Sequence, residues 1–146
     1  MNHALAVVGS TGASERLVRE AGELAAGVGA SLTVLAVTDE GEYDDQREQL
    51  LTAGGATYSV GQAVEGAESR ADDVARAALA GLDVAYETAG TVGEPAEVAL
   101  AEAGRRGCDH LFVAGRKRSP TGKALFGDDT QRLLLGADCP VTVVTE

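Results

Sequence analysis

The sequence predicts an α/β domain built on a doubly wound, five-stranded parallel sheet with helices on both faces. Three observations predict it. Short apolar runs without polar alternation recur along the chain, as strands buried on both faces require. Segments with helical spacing separate them, and strand–helix–strand units with short joints pair in parallel with right-handed crossovers. Glycine-rich turns follow the first and fourth runs, where such sheets bind ligands.

The elements follow in order. Ala4 to Val8 is the first strand, ended by Gly9-Ser10-Thr11-Gly12. Ser14 can cap a helix carrying Leu17, Ala21, Leu24 and Val28 on one face, closed by Gly29. Ser31 to Val37 (SLTVLAV) is the second strand. Thr38 to Gly61 is an acidic excursion with a short helix near Glu42 to Leu51, then Gly54-Gly55. Val64, Ala67, Ala71, Val74 and Ala78 mark an amphipathic helix reaching Gly81. Asp83 to Thr88 (DVAYET) alternates and is expected nearer the sheet edge. Gly93-Glu94-Pro95 opens a helix to about Arg106, with proline in its first turn. His110 to Ala114 is the fourth strand. The loop Gly115 to Gly127 leads to a short helix through Leu133-Leu134-Leu135, and Val141 to Thr145 is the last strand. Five strands thus alternate with four helices, besides the short helix of the excursion.

Composition bounds the rest. A chain of 146 residues makes one domain, residues 1–146, large enough for a real core. Aromatics are only 3% and tryptophan is absent, so Ala, Val and Leu must build that core. Lys and Arg number 12 against 23 Asp and Glu, a formal charge of −11. That field argues against a nucleic-acid partner. Only Lys117 and Lys123 are lysines, and an acidic, Lys-poor, Ala-rich chain fits a salt-in halophile or an ordinary acidic protein of a GC-rich genome. No stretch approaches the roughly 20 apolar residues that span a bilayer. Met1-Asn2-His3 lacks the basic start of a signal peptide, so a cytoplasmic protein is expected. Cys108 and Cys139 lack metal spacing and are expected to be buried thiols, and two histidines do not make a zinc site.

Candidate chemistry is sparse. Ser10 lacks a hydrolase elbow, His110 has no nucleophile in reach by sequence, and Glu94 and Glu97 complement a helix dipole. No catalytic residue is named. Ser119-Pro120-Thr121 is either a modification site or ordinary turn chemistry.

The C-terminal run GRKRSPTGKALFGDDTQRLLLGADCPVTVV resembles the closing segment of universal stress proteins, which carry Gly-x-x-Gly, about nine residues, Gly-Ser/Thr, a helix and a Pro-Val-x-Val-Val strand. The opening ALAVVGSTGASERLVREAGELAAGVGASLTVLAV and the middle Gly90-Thr91-Val92-Gly93-Glu94-Pro95-Ala96 match the same family, leaving only Asp39 to Gly61 unmatched. The resemblance implies an adenine nucleotide alpha hydrolase-like fold and, for members with the full glycine motif, ATP or AMP held over the loops after the first and fourth strands. Val37 matches the small residue at the adenine site and Gly115 the first motif glycine. The second motif glycine falls on Arg118, with Gly122 as a substitute, and the last is matched by Gly127, one residue early. Asp128 stands where a phosphate-binding Ser or Thr is usual, with Thr130 offering a hydroxyl further on. Gly9 replaces an Asp that meets the nucleoside. Mg²⁺ could offset the Asp128 charge. Arg116, Lys117, Arg118 and Lys123 are either phosphate-capturing cations or partners of nearby carboxylates.

Two functions stay open: a nucleotide-responsive stress module, with a slow ATPase as its furthest extension, and a scaffold that uses the altered loop to dock another protein. Val141, Val143 and Val144 form an apolar edge that would aggregate uncovered. The resemblance implies a homodimer paired through that strand.

Overall fold

The computed structural model describes residues 1–9, 14–55, 57–115 and 127–145. Its strands are β1 (His3–Val8), β2 (Ser31–Asp39), β3 (Tyr86–Gly93), β4 (His110–Gly115) and β5 (Val141–Thr145). Its helices are α1 (Ser14–Val28), α2 (Glu40–Thr52), α3 (Val60–Ala78), α4 (Pro95–Arg106) and α5 (Asp128–Gly136). The strands form one parallel sheet in the order β3-β2-β1-β4-β5. The chain runs outward from β1 to β3, returns to the other side of β1 as β4, and ends at β5. The order therefore reverses between β1 and β4.

Period-two alternation along each buried strand divides the core into two layers. Ala4, Ala6, Val8, Val34 and Phe112 face α1 and α3. Leu5, Leu35, Val37, Leu111 and Val113 face α4 and α5. The sheet is thus covered on both sides, as its apolar sequence requires.

The helix signals are local and legible. Glu94 caps α4, accepting from the amides of Ala96 at 3.2 Å and Glu97 at 2.9 Å, and Pro95 follows at the first position. Gly107 ends α4 in the left-handed conformation, φ 67°, and Gly29 does so after α1, φ 72°. Ser59 and Gln62 form a reciprocal capping box at the start of α3.

Several expectations need correction. The short helix expected near Glu42 to Leu51 is present as α2, and it runs longer, from Glu40 to Thr52. The buried face of α1 runs through Leu17, Val18, Ala21 and Ala25, rotated from the expected one, and leaves Leu24 47% and Val28 60% exposed. Contact with both β1 and α3 sets that rotation, which leucine spacing alone does not report. In α3 the buried stripe is Ala63, Ala67, Ala71, Ala75 and Ala78, with Val64 and Val74 on its shoulders. Strand β3 starts later and runs further than DVAYET suggested, through Gly90 to Gly93. Eight register positions against β2 define it, and small residues rather than apolar ones suit its place under α3. Of the Leu133-Leu134-Leu135 run only Leu133 is buried, and Leu135 is 88% exposed. Cys108 and Cys139 are half-buried rather than buried.

Small residues at the α3–β3 contact are a geometric necessity. A Cβ on Gly90 would lie 2.5 Å from the Val64 carbonyl oxygen and closer still to the Glu68 nitrogen, both backbone atoms of α3. Gly66, on the same helix, has open space at that position. Gly90→Ala is therefore expected to destabilise the protein by about 1–3 kcal/mol through overpacking. Gly66→Ala should stabilise it by about 0.5–1 kcal/mol through helix propensity. Urea denaturation of the two variants checks both signs.

Candidate functional site

The apolar strands β1 and β4 end next to Gly9 and at Gly115, and a cleft opens at their carboxyl ends. Its volume is about 630 Å³. Val7, Val37, Val113 and Leu133 supply its apolar lining, and Gly9 and Gly127 bring backbone to its rim without side chains. The cleft sits at the reversal of strand order, the position at which doubly wound sheets bind ligands.

The end of β2 is held from behind. Arg70 of α3 donates from Nη2 to the Val37 carbonyl at 3.0 Å and from Nη1 to the Thr38 hydroxyl at 3.4 Å. Asp39 then caps α2, accepting from the Gly41 amide at 2.8 Å, and lines the cleft together with Glu42 of that helix. Helix α2 buries none of its own side chains. Tyr43 ties it down, donating its hydroxyl to the Tyr58 carbonyl at 3.1 Å with the two rings 5.5 Å apart.

On the opposite side, α5 starts at the cleft. Gly127 occupies its cap position with no side chain to offer, and Asp128 and Asp129 form its first turn. The Asp129 and Glu94 carboxyls hydrogen-bond to each other, which requires one proton between them. Burial, followed by Glu94 and Asp39, raises the pKa of Asp129 above its ordinary value, whereas the Glu97 amide foremost holds that of Glu94 below its own. Arg132 completes the cluster, 3.3 Å from Glu94. Carboxyl groups from β2, the α4 cap and α5 thus converge on one rim. Among the described residues no group of three or more His, Cys, Asp or Glu side chains is arranged to hold a metal ion.

The residues singled out from sequence divide into three groups. Val37, Gly127, Asp128 and Thr130 line the cleft. The Thr130 hydroxyl donates to the Ala114 carbonyl at 3.0 Å, so it ties α5 to β4 and presents lone pairs to the cleft. Gly115 is the buried last residue of β4, paired with Thr145 of β5. Arg116, Lys117, Arg118, Gly122 and Lys123 lie outside the described residues, as do Ser10, Ser119 and Thr121. His110 is bonded to the Thr142 hydroxyl at 2.8 Å and stacked on Phe112 at 4.8 Å, and burial lowers its basicity.

Sequence reasoning missed Asp39, Glu42 and Arg132 as rim residues and took Glu94 for a dipole complement alone. The Asp39-x-x-Glu42 spacing after an apolar run is a capping signal that could have placed the first two. The Glu94–Asp129 contact joins positions far apart in the chain and carries no local signal.

Topology and cleft define a doubly wound α/β domain with an open cleft at the β1/β4 reversal. The chain belongs to the universal stress protein family, whose family model matches residues 1–145. A universal stress protein from Archaeoglobus fulgidus shares 25% identity with it, over 98% of this chain and 97% of that one, with a TM-score of 0.66. A universal stress protein solved in complex with cAMP shares 20%, over 99% and 98%, with a TM-score of 0.61. The Archaeoglobus fulgidus universal stress protein in complex with dAMP shares 20%, over 98% and 96%, with a TM-score of 0.60. None of the curated proteins matches the chain by sequence. Among the described residues no helix is long and apolar enough to cross a membrane.

The rim has a pH signature. A carboxyl whose folded-state pKa is raised lowers stability as the pH climbs from its unfolded value, near about 3.9, to its folded value; the penalty is complete above the folded value and vanishes below the unfolded one. Asp129→Asn removes that penalty and keeps a donor for Glu94. Its melting temperature should exceed the parent's at pH 7, and the two should converge below about pH 4. Glu94→Ala, which uncaps α4, is expected to cost about 1 kcal/mol at pH 7. Thermal scans across pH measure both.

Proposed function

We propose that this protein is a nucleotide-responsive stress module that binds an adenine nucleotide, ATP or AMP, in the β1/β4 cleft and acts by binding rather than turnover. The observation that carries the reading is the cleft itself. Its volume suits a nucleotide-sized ligand, its apolar lining at Val37, Val113 and Leu133 suits a base, and the glycine-capped start of α5 suits an anion. Two relatives of the same fold solved with cAMP and dAMP support it.

The phosphate end is the contested part. Asp128 and Asp129 oppose an anion. Arg116, Lys117, Arg118 and Lys123 belong to the segment that joins Gly115 to Gly127, and their guanidinium and ammonium groups can supply the charge that the altered glycine motif does not. Mg²⁺ on the nucleotide would reduce the repulsion from Asp128.

One observation favours a second reading, a scaffold that docks another protein. The Thr130 hydroxyl proton is already given to Ala114, and a carboxylate precedes it where a hydroxyl would serve a phosphate. In either case we take the protein to act in the cytoplasm as a homodimer paired through β5. That strand stands at the sheet edge with Val141 and Val143 half-buried and Val144 turned into the core. Sedimentation should then give twice the chain mass.

Calorimetric titration of ATP and AMP, with and without Mg²⁺ and at moderate and high salt, separates the two readings. The nucleotide reading predicts saturable binding that weakens about tenfold in Arg116→Ala and tightens about tenfold in Asp128→Ser, each corresponding to about 1.4 kcal/mol. Absence of heat at every salt concentration, with Asp128→Ser equally silent, would favour the scaffold.

A further inference from the structure

At the base of the sheet, opposite the cleft, stand the chain's two cysteines. Cys108 lies just before β4 and Cys139 just before β5, and both pack against the same apolar layer as Leu111 and Val141. The two strands pair in parallel with Leu111 opposite Val141. That ladder continues one step backward, where the Leu111 amide donates to the Pro140 carbonyl at 3.0 Å. Cys139 lies two residues before Val141 and Cys108 three before Leu111, where the chain has left regular strand geometry and both side chains turn to the same layer. The strands they lead into lie about 4.8 Å apart, and Cys139 acts electrostatically on the Cys108 thiol, so the two side chains are near neighbours. A disulfide spans Cα separations of about 4.4–6.8 Å.

We propose that Cys108 and Cys139 are an oxidisable pair that closes to an intramolecular disulfide across the β4–β5 base. The loop it closes encloses β4 and α5, one whole wall of the cleft, and joins the edge strand to its neighbour. The oxidant is a low-molecular-weight disulfide. One protein thiol loses its proton and attacks a sulfur of that disulfide, forming a mixed disulfide and releasing one small thiolate. The second protein thiolate then attacks the protein sulfur of the mixed disulfide and releases the other. Two protein thiols are oxidised by two electrons in total, and the small disulfide is reduced to two thiols.

The environment makes the exchange slow. Burial pushes both thiols toward the protonated form, Cys108 to about 11. The thiolate is the attacking species, so the rate should rise about tenfold per pH unit across the neutral and mildly alkaline range. The pair thus responds to sustained oxidation rather than to a brief pulse.

The test uses the full chain incubated with oxidised glutathione at pH 7, 8 and 9, followed by alkylation and mass measurement without reductant. The expected product is a single chain two hydrogens lighter, with no alkylatable thiol. Its rate should climb with pH, and its melting temperature should be raised by about 5 °C or more, reversibly with dithiothreitol. Cys108→Ser and Cys139→Ser should each stop at one glutathione adduct. The proposal is overturned if the parent chain stops at two glutathione adducts, if the disulfide forms between chains, if both thiols stay alkylatable at pH 9, or if the oxidised form melts no higher than the reduced one.

Discussion

The approach of α3 to β3 is the constraint on which the rest of the structure depends. Backbone meets backbone at Gly90, and the alanine stripe from Ala63 to Ala78 lets a helix lie almost flat on the sheet. A core this poor in aromatic and long aliphatic side chains gains little transfer energy per residue, about 25 cal/mol for each Å² of apolar surface buried. Close packing of many small groups has to take the place of a few large ones. The same approach has a functional consequence. It brings Arg70 to the end of β2, where the guanidinium holds the Val37 carbonyl and the Thr38 hydroxyl, and so fixes the wall of the cleft from behind. The Thr88 hydroxyl, bonded to the Asp72 carboxyl, fastens α3 to β3 a little further along.

Much of this fold was legible in the sequence because buried parallel strands write themselves as uninterrupted apolar runs. Ala4 to Val8, Ser31 to Val37, His110 to Ala114 and Val141 to Thr145 all lie in strands, and Glu94-Pro95 and Gly107 mark the ends of α4. What was not legible depends on tertiary contact. The face of α1 turns away from Leu24 and Val28 because β1 and α3 select Leu17, Val18 and Ala25 instead. Strand β3 shifts because pairing with β2 outweighs the alternation of DVAYET, and because Gly90 fits beneath a helix where a larger residue does not. Helix α2 was expected near Glu42 to Leu51, but its extent from Glu40 to Thr52 was not legible, because it has no apolar period and no buried side chains. At the site, Val37, Gly127, Asp128 and Thr130 were found through a motif. The carboxyl convergence of Asp39, Glu94 and Asp129 comes from three separate segments and is visible only once they are folded together.

Charge gives this cleft its individual character within the universal stress protein fold. The apolar lining and glycine rim are what the family resemblance implies. To these this chain adds an acidic rim, in which burial and the neighbouring Glu94 raise the pKa of Asp129. Arg132, already paired with Glu94, compensates the rim only in part. On the proposed function, Arg116, Lys117, Arg118, Lys123 and any cation brought by the ligand would set how much negative charge the cleft accepts. A chain carrying a formal charge of −11 keeps such a balance sensitive to ionic strength.

The most direct test of the central claim is amide-resolved NMR mapping of AMP on the isotope-labelled protein. If the β1/β4 cleft is the nucleotide site, saturable shifts will concentrate at Gly9, Val37, Gly127 and Thr130. The amides of Asp109 and His110, at the far end of the sheet, will stay in place. Shifts centred elsewhere, or none at millimolar AMP with Mg²⁺ present, would contradict the account.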